Sequence, residues 1–275
     1  MRVQILAVPY DSGRRDHRMG NGPARLLERG LETVWSARRH DVTTEWIEVS
    51  PAAAGDVRTS FDLYDKVATR VRAAHTDRRF PMVISGNCGA TIGALAGLND
   101  IRPAVVWFDA HADFNTPETS PSGFLDGMAL AVLTGRCWRA LAAKISGFEP
   151  VPEPGVALVG VRDVDPAEAD ALSSASIRRI GADLVGLDSV FPEATRTWLH
   201  VDLDVLDAAE GKANQFATTG GLTVPQLLDA VRRLSSRLSL VGAALTSYDP
   251  AADADGRIAG AALAVAGALA AILES

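Results

Sequence analysis

Apolar, β-branched-rich runs alternate with helical patterns along the chain, and this alternation constrains the fold more than any other feature of the sequence. Eight such runs predict strands, at residues 3–9, 42–49, 82–86, 104–110, 156–161, 176–181, 197–205 and 240–248. Helical patterns lie between them, at residues 24–35, 62–75, 90–98, 128–135 and 224–238. Strands separated by helices of this length pair in parallel through right-handed crossovers. The prediction is a three-layer α/β/α fold with a central parallel sheet of about eight strands, in a single domain over residues 1–275.

Charge and composition narrow the class of partner. The net charge is −7, from 27 basic and 34 acidic residues, and no run of five basic residues occurs. This disfavours a nucleic-acid or anionic-membrane surface and favours a small molecule. The first residues lack the long apolar region of a signal peptide, and the Ala-rich segment IAGAALAVAGALAAILES is expected to be a buried helix rather than a membrane span. Two cysteines, Cys88 and Cys137, are too few for a disulfide framework and favour a cytoplasmic location.

The stretch DAHADFNTP (109–117) carries three potential metal ligands at alternate positions. Asp109, His111 and Asp113 follow the apolar run AVVWF directly. Side chains repeat every two residues in an extended chain, so these three share one face and converge on one point. Carboxylates crowded together repel one another unless a cation is bound between them. A surface turn with solvated acids is the alternative interpretation of this stretch.

A second acidic cluster, HVDLDVLD (200–207), ends another predicted strand. Asp202 and Asp204 share a face there, and Asp207 follows in the turn. In parallel α/β folds, ligands bind beyond the carboxyl ends of the strands, so we expect the two clusters to form one site. Together they hold enough ligands for two divalent ions, and the aspartate-rich set with its imidazole suits Mn²⁺.

On these motifs the chain resembles the arginase/agmatinase family of ureohydrolases, which hydrolyse guanidine carbon. The resemblance rests on SGNCG (85–89), DAHADFN (109–115) and HVDLDVLDA (200–208), and it extends from GNGPARL (20–26) to SYDP (247–250). It implies two Mn²⁺ ions and a metal-bridged hydroxide that attacks the guanidine carbon. By this resemblance, the ligands of one ion are Cys88, Asp109, Asp113 and Asp202, and those of the other are Asp109, His111, Asp202 and Asp204.

Cys88 is the first departure from the family pattern, because it stands where the family has a metal-binding histidine. A thiolate ligand adds negative charge and is softer than imidazole, which makes Zn²⁺ the alternative to Mn²⁺. A buried structural cysteine is the other interpretation of this residue.

The second departure concerns acid–base chemistry in the segment 115–130. Asp126 stands where arginases have a histidine that is the proposed proton shuttle. We predict Asp126 as a catalytic acid if neighbouring carboxylates raise its pKa, and as a solvated loop aspartate if they do not. His200 is the second catalytic candidate, because strand alternation puts it on the same face as Asp202 and Asp204. A packing or supporting role is the alternative for His200.

The third departure lies in the part of the pocket that would hold the guanidinium. Ser247 stands where arginases have a glutamate, and Phe216 stands where they have a threonine. A cation bound in a partly buried pocket without its counter-ion loses several kcal/mol of stabilisation. The substitutions therefore disfavour a fully charged head group.

The amino-acid end of the substrate is better matched. Asn115 and Ser122 match arginase positions that hold the α-carboxylate, and Asp165 and Glu168 match positions near the α-amino group. The last two also form the pattern of a helix N-terminus. A substrate with the arginine backbone and a less basic head group is expected, and Nω-hydroxy-L-arginine has both properties. The resemblance thus extends to the arginase relatives that convert it to hydroxyurea and L-ornithine in D-cycloserine biosynthesis, an antibiotic pathway.

Three other functions stay open at this point. They are an arginase acting on L-arginine, a ureohydrolase of another guanidino or formimino substrate, and a non-catalytic relative that binds an amino acid or a partner protein. The chain stops after its last helical pattern, without the C-terminal extension of trimeric arginases, so a monomer is expected. The arginine-rich segment 11–23 is expected to be a solvated surface loop, and a mobile loop near the mouth of the site is the alternative.

Overall fold

The computed structural model describes residues 1–50 and 55–273, and within these ranges the chain forms a central sheet of eight strands. In chain order they are β1 (Arg2–Val8), β2 (Asp41–Trp46), β3 (Arg79–Ser85), β4 (Ala104–Phe108), β5 (Val156–Val159), β6 (Arg178–Ile180), β7 (Arg196–Asp202) and β8 (Ser239–Thr246). They lie across the sheet in the order β2-β1-β3-β8-β7-β4-β5-β6, and every pairing in this sheet is parallel. The predicted parallel sheet is confirmed, and each predicted strand overlaps one of these eight.

Helices cover both faces of this sheet. In the described residues they are α1 (Gly22–Glu28), α2 (Leu31–Ser36), α3 (Asp56–Thr76), α4 (Ala90–Gly97), α5 (Ala129–Leu133), α6 (Arg139–Ala142), α7 (Pro166–Ser173), α8 (Val224–Arg237) and α9 (Arg257–Ile272). One apolar core packs the sheet against α1, α2, α8 and α9, and the other packs it against α3, α4 and α5. The predicted three-layer arrangement is therefore confirmed.

Strand alternation decides which side chains enter each core. In β7, Trp198 faces the α3/α4 layer, whereas Leu199 and Val201 face the α8/α9 layer. The same alternation directs His200 and Asp202 to the side of Trp198.

The Ala-rich C-terminal segment forms α9, as predicted, and its alanines and leucines pack into the core. The two last residues of that segment, 274 and 275, lie outside the described residues. Within the part of the chain that the structure describes, no helix combines the length and the apolar character that a membrane span needs.

The four central strands bring their carboxyl ends together. Thr246, the last residue of β8, lies opposite Ser85 of β3 on one side and Asp202 of β7 on the other. On the far side of β7, Val201 lies opposite Phe108 of β4. The segments that leave β3, β4, β7 and β8 therefore start from one edge of the sheet, which is where ligands bind in parallel α/β folds.

Candidate metal centre and substrate pocket

A cavity of about 260 Å³ opens above the carboxyl ends of these central strands. This volume lies just below the range of about 300–1,000 Å³ that is typical of small-molecule sites. Its lining residues are Met19, Cys88, His111, Asp113, Asn115, Ser120, Ser122, Phe124, Asp126, Gly127, Asp163, Asp165, Glu168, Asp202, Asp204, Asn214, Phe216 and Ser247. Of the predicted site residues, all line this cavity except Asp109 and His200, which are buried beneath it.

The turn after β3 carries Cys88 to the cavity floor. A Cβ atom at Gly86 would collide with the carbonyl oxygen of Tyr10, so the chain needs glycine to enter this turn. The Cys88 thiol donates to Asp202 Oδ2 at 2.9 Å and lies 3.3 Å from the Ser247 hydroxyl oxygen. Burial, and then the charge of Asp202, raises the pKa of Cys88 well above its ordinary value. A nearby cation would reverse this effect by stabilising the thiolate.

Asp126 holds this turn in place. One carboxylate oxygen accepts from the Asn87 side chain at 2.8 Å and from the Cys88 amide at 3.1 Å, and the other accepts from the Gly89 amide at 2.9 Å. Burial raises the pKa of Asp126 to about 7, although the bonds from Gly89 and Cys88 oppose the shift. Asp126 is therefore buried rather than a solvated loop aspartate, and it positions Cys88 while it lines the cavity.

The segment after β4 brings Asp109 and His111 together. Asp109 accepts from the Trp107 indole at 2.9 Å and from the His111 amide at 2.7 Å, and burial followed by the charge of Asp204 raises its pKa to about 6. The His111 Nδ1 atom lies 3.4 Å from a carboxylate oxygen of Asp109 and 3.4 Å from one of Asp204. Although burial opposes it, these two hydrogen bonds raise the pKa of His111 to about 12.

Asp113 provides the clearest sign that a cation belongs here. Its backbone has a φ of +49°, which is unfavourable for a residue other than glycine. Within residues 1–50 and 55–273, its buried Oδ2 atom has no hydrogen-bond partner. Burial, and then the charges of Asp109, Asp126 and Asp202, raises the pKa of Asp113 well above its ordinary value. A divalent ion fits this arrangement, because it would pair the orphaned oxygen and neutralise the neighbouring carboxylates.

Asp202 and Asp204 lie at the end of β7 and in the 3-10 turn that follows. Asp202 Oδ1 accepts from the Asp204 amide at 2.9 Å and caps this turn. Asp204 accepts from the Ala110 amide at 3.2 Å and from the Asn214 side chain at 3.1 Å. In the described residues, two groups of potential ligand atoms lie within 4.8 Å of one another: Asp109 with His111 and Asp204, and Cys88 with Asp109 and His200.

Two residues that we did not predict support these carboxylates. Asn214 donates to Asp204 and, at 2.9 Å, to the Ser247 carbonyl. Arg162 donates from its guanidinium to the carbonyl oxygens of Gly160, Asp204, Val205, Leu206, Thr218 and Thr219. It therefore joins the turn that carries Asp204 to the loop that carries Phe216. No motif signals these roles in the sequence, because each depends on partners that fold beside the residue from elsewhere in the chain.

His200 lies beneath the cavity. The side chain is fully buried, and its ring stacks on Trp107 with 3.6 Å between centroids. Burial lowers the pKa of His200 to about 3, so the ring is neutral. His200 lies below the cavity and does not line it, so the structure favours the supporting role over that of an acid or base acting directly on a substrate.

The four residues predicted to bind the amino-acid end of a substrate lie together at the cavity wall. The Asn115 side chain donates to Asp165 at 3.0 Å, and Glu168 accepts from the Phe114 amide at 2.7 Å. Asp165 and Glu168 also form a capping box at the start of α7, so the helix N-terminus and the cavity wall are the same structure. Burial raises the pKa of Glu168. Ser122 lies exposed at the rim.

The part of the wall formed by Ser247 and Phe216 is uncharged, although Asp163 also lines the cavity and its carboxylate lies 3.9 Å from the His111 ring. Ser247 follows β8 with a φ of +62°, and its hydroxyl points toward Cys88. Phe216 lies edge-on to the His111 ring, and its own ring packs against Phe124 with 5.5 Å between centroids. Neither Ser247 nor Phe216 offers a counter-ion to a cation.

The segment 11–23 is not the solvated loop that we expected. Arg14 and Arg15 are exposed, but Asp11 is fully buried and accepts from the Arg18 guanidinium at 2.7 Å. Met19 is buried and lines the cavity. The expectation is wrong for Asp11 and Met19, because both side chains are buried in the fold while Arg14 and Arg15 stay exposed.

Comparison with known proteins identifies the family. The model of the Arginase family matches residues 1–271. The chain belongs to the arginase family. Members of this family are metal-dependent ureohydrolases that act on guanidino groups, so the predicted class of enzyme is confirmed.

Individual relatives agree over nearly the whole chain. The arginase of Bacillus caldovelox is 28% identical over 291 residues, which cover 97% of each chain. The arginase of Staphylococcus aureus strain MRSA252 is 26% identical and covers 91% of each chain. The solved structure of the Bacillus caldovelox arginase superimposes with a TM-score of 0.88 over 98% of this chain and 97% of its own. A hypothetical agmatinase from Burkholderia thailandensis shares the fold, with a TM-score of 0.75, 19% identity and coverage of 100% of this chain and 86% of its own.

Proposed function

We propose that this arginase-family protein hydrolyses Nω-hydroxy-L-arginine to hydroxyurea and L-ornithine. The observation that carries the proposal is the uncharged end of the cavity, where Ser247 and Phe216 leave no carboxylate for a guanidinium. Asp126 and Asp163 also line the cavity, but Asp126 holds the turn at Cys88 through three hydrogen bonds, and the Asp163 carboxylate faces the His111 ring at 3.9 Å. An N-hydroxyguanidine is less basic than a guanidine and binds as a neutral group, so it avoids the cost of an unpaired buried cation.

Two divalent ions would be held by the cluster on the cavity floor. Mn²⁺ suits the aspartate-rich half of the cluster, and Zn²⁺ is the alternative because of Cys88. When bound, the ions supply Lewis-acid activation of a water molecule at neutral pH. The proposed ligands are Cys88, Asp109, Asp113 and Asp202 for one ion, and Asp109, His111, Asp202 and Asp204 for the other.

The remaining residues orient the substrate and handle its proton. Carboxylates of Asp165 and Glu168 attract the α-ammonium group, and Asn115 and Ser122 supply donors for the α-carboxylate. Water adds to the guanidine carbon, the bond from that carbon to the ornithine nitrogen breaks, and the departing amine takes up a proton. Asp126 is the proposed donor, because burial raises its pKa to about 7 and it lines the cavity.

L-arginine is the second candidate substrate. It is favoured by the relatives named above, which are arginases and align along nearly the whole chain. An arginase activity requires that something other than a pocket carboxylate compensates the charge of the guanidinium.

A charge-restoring variant tests the proposal. Ser247→Glu adds a carboxylate at the uncharged end, and Ser247→Gln is the matched control of equal size without charge. We expect the ratio of kcat/KM for L-arginine to that for Nω-hydroxy-L-arginine to rise by about tenfold or more in Ser247→Glu relative to Ser247→Gln, a change of roughly 1.4 kcal/mol. An equal ratio in the two variants contradicts the role that we give to the missing charge.

The expectations of a monomer and of a cytoplasmic location remain predictions. Light scattering of the purified protein checks the first of them.

A further inference from the structure

His200 has one well-bonded ring nitrogen and one that is poorly used. The Nδ1 atom lies 2.8 Å from the Thr91 hydroxyl oxygen, which is an ordinary hydrogen-bond distance. The Nε2 atom has a long contact of 3.4 Å with the Thr246 hydroxyl oxygen. The ring is fully buried, and buried polar atoms are normally well hydrogen-bonded, so the weakly bonded Nε2 atom needs an explanation.

The surroundings of the ring point toward the metal centre. A ring nitrogen of His200 lies within 4.8 Å of the Cys88 sulfur and of a carboxylate oxygen of Asp109. Thr246 lies between them, since its hydroxyl oxygen is 3.3 Å from the sulfur and 3.4 Å from Nε2. Typical zinc bonds of about 2.1 Å to nitrogen and about 2.3 Å to sulfur place two such ligands at most about 4.4 Å apart. The limit of 4.8 Å within which these atoms lie is about 0.4 Å longer than that distance.

We propose that His200 is a ligand of the ion that Cys88 holds, through its Nε2 atom. The inference rests on the metal centre given under the proposed function. With His200 added, the ion at Cys88 has thiolate, imidazole and carboxylate ligands, whereas the neighbouring ion has His111 and carboxylates. The softer set favours Zn²⁺ or Co²⁺ over Mn²⁺ at the position of Cys88.

Two neighbours position the ring for this role. In the tautomer that the proposal requires, the Thr91 hydroxyl at 2.8 Å accepts the Nδ1 proton, and the lone pair lies on Nε2. Trp107 stacks on the ring at an interplanar angle of 17° and donates to Asp109, so it holds both proposed ligands in one arrangement. Both are positioning residues in this account.

Nitrogen NMR of the unmodified protein tests the inference directly. The chain has five histidines, and long-range ¹H–¹⁵N spectra of ¹⁵N-histidine-labelled protein report each ring nitrogen separately. On saturation with Zn²⁺, we expect large shifts in the rings of His111 and His200. A shift in His111 without one in His200 overturns the inference and leaves the metal centre intact. If elemental analysis finds no bound ion after Zn²⁺ loading, both the inference and the metal centre of the proposed function fail.

A pair of variants measures how much His200 contributes to metal binding. His200→Gln removes the proposed ligand, and His40→Gln removes another buried histidine, whose Nε2 contacts the carbonyl of Ala270. We expect His200→Gln to weaken binding of one of two Zn²⁺ ions by about tenfold or more in a chelator competition, and His40→Gln to leave both unchanged. Equal weakening in the two variants overturns the inference, because it reports a loss of fold stability rather than of a ligand.

Discussion

The floor of the cavity and its uncharged wall differ in the number of ionisable side chains that they carry. The floor holds four buried aspartates, Asp109, Asp113, Asp202 and Asp204, and most of their oxygens accept hydrogen bonds from neighbouring N–H groups or from Cys88. The wall formed by Ser247, Phe216 and Phe124 has no ionisable group. The difference shows that negative charge is concentrated where a cation bound by the protein belongs. Under the proposed function, the uncharged wall lies where the head group of the substrate would bind.

The largest effect is expected from removing one charge at the floor. Asp202→Asn takes away an acceptor of the Cys88 thiol and a proposed ligand of both ions. We expect turnover to fall by at least about a hundredfold and metal binding to weaken in parallel. The thermal stability of the metal-free protein at neutral pH should not fall, because asparagine avoids the cost of burial and crowding that raises the pKa of the Asp202 carboxyl. Asp188→Asn, at an exposed ion pair with Arg233, is the control, and comparable losses in both variants argue against the account.

Arg162 connects the floor to the wall, so its replacement should affect both. Arg162→Met leaves several carbonyl oxygens of the 204–206 and 218–219 segments without their donor. We expect a loss of about 2–3 kcal/mol in the free energy of unfolding, measured by urea denaturation, and a lower kcat/KM for both substrates. A variant with wild-type stability shows that water replaces these hydrogen bonds and that Arg162 does not fix the loop.

The pH dependence of stability should differ between the metal-free protein and the protein with ions bound at the cavity floor. Burial raises the pKa of Asp109 to about 6 and that of Asp126 to about 7, above the unfolded value of about 3.9. Between these values the folded, metal-free protein holds protons that the unfolded chain has lost, so stability falls as pH rises from about 4 to about 7. Asp113 and Asp202 act in the same direction, and His200, whose pKa burial lowers to about 3, acts against them.

We therefore expect the Tm of metal-free protein to decrease across this pH range, and saturating divalent ion to remove most of the decrease. Differential scanning calorimetry at several pH values measures both slopes. A metal-free Tm that rises from pH 4 to 7 means that the buried carboxylates are not held protonated in the fold.

The smallest effect is expected at the rim of the wall. Phe216 is 36% exposed, and Phe216→Thr removes its contacts with His111 and Phe124. We expect a change of less than about tenfold in the preference between L-arginine and Nω-hydroxy-L-arginine, smaller than that of Ser247→Glu. A larger effect from Phe216 than from Ser247 places the basis of selectivity in shape rather than in charge.

The sequence predicts the sheet well because strand and helix periods are local properties. It also predicts that the two acidic clusters meet, because both follow strands of one parallel sheet. Period-two alternation gives the face of a residue but not its depth, which is why His200 was expected in the pocket and lies beneath it.

Contacts between distant segments escaped prediction for a related reason. Asp126 accepts from the turn at 87–89, and Arg162 donates to 204–206 and 218–219. Each pair depends on how loops pack after the sheet has formed, and no local spacing encodes it.

Steady-state turnover with the two substrates side by side tests the central claim most directly. Protein loaded with Mn²⁺ or Zn²⁺ would be given L-arginine and Nω-hydroxy-L-arginine at matched concentrations, and release of L-ornithine would be followed. Because the cavity pairs a charged metal floor with an uncharged wall, we predict that kcat/KM for Nω-hydroxy-L-arginine exceeds that for L-arginine by at least about tenfold. Equal or faster hydrolysis of L-arginine would contradict the account and identify the protein as an arginase whose pocket compensates the guanidinium in another way.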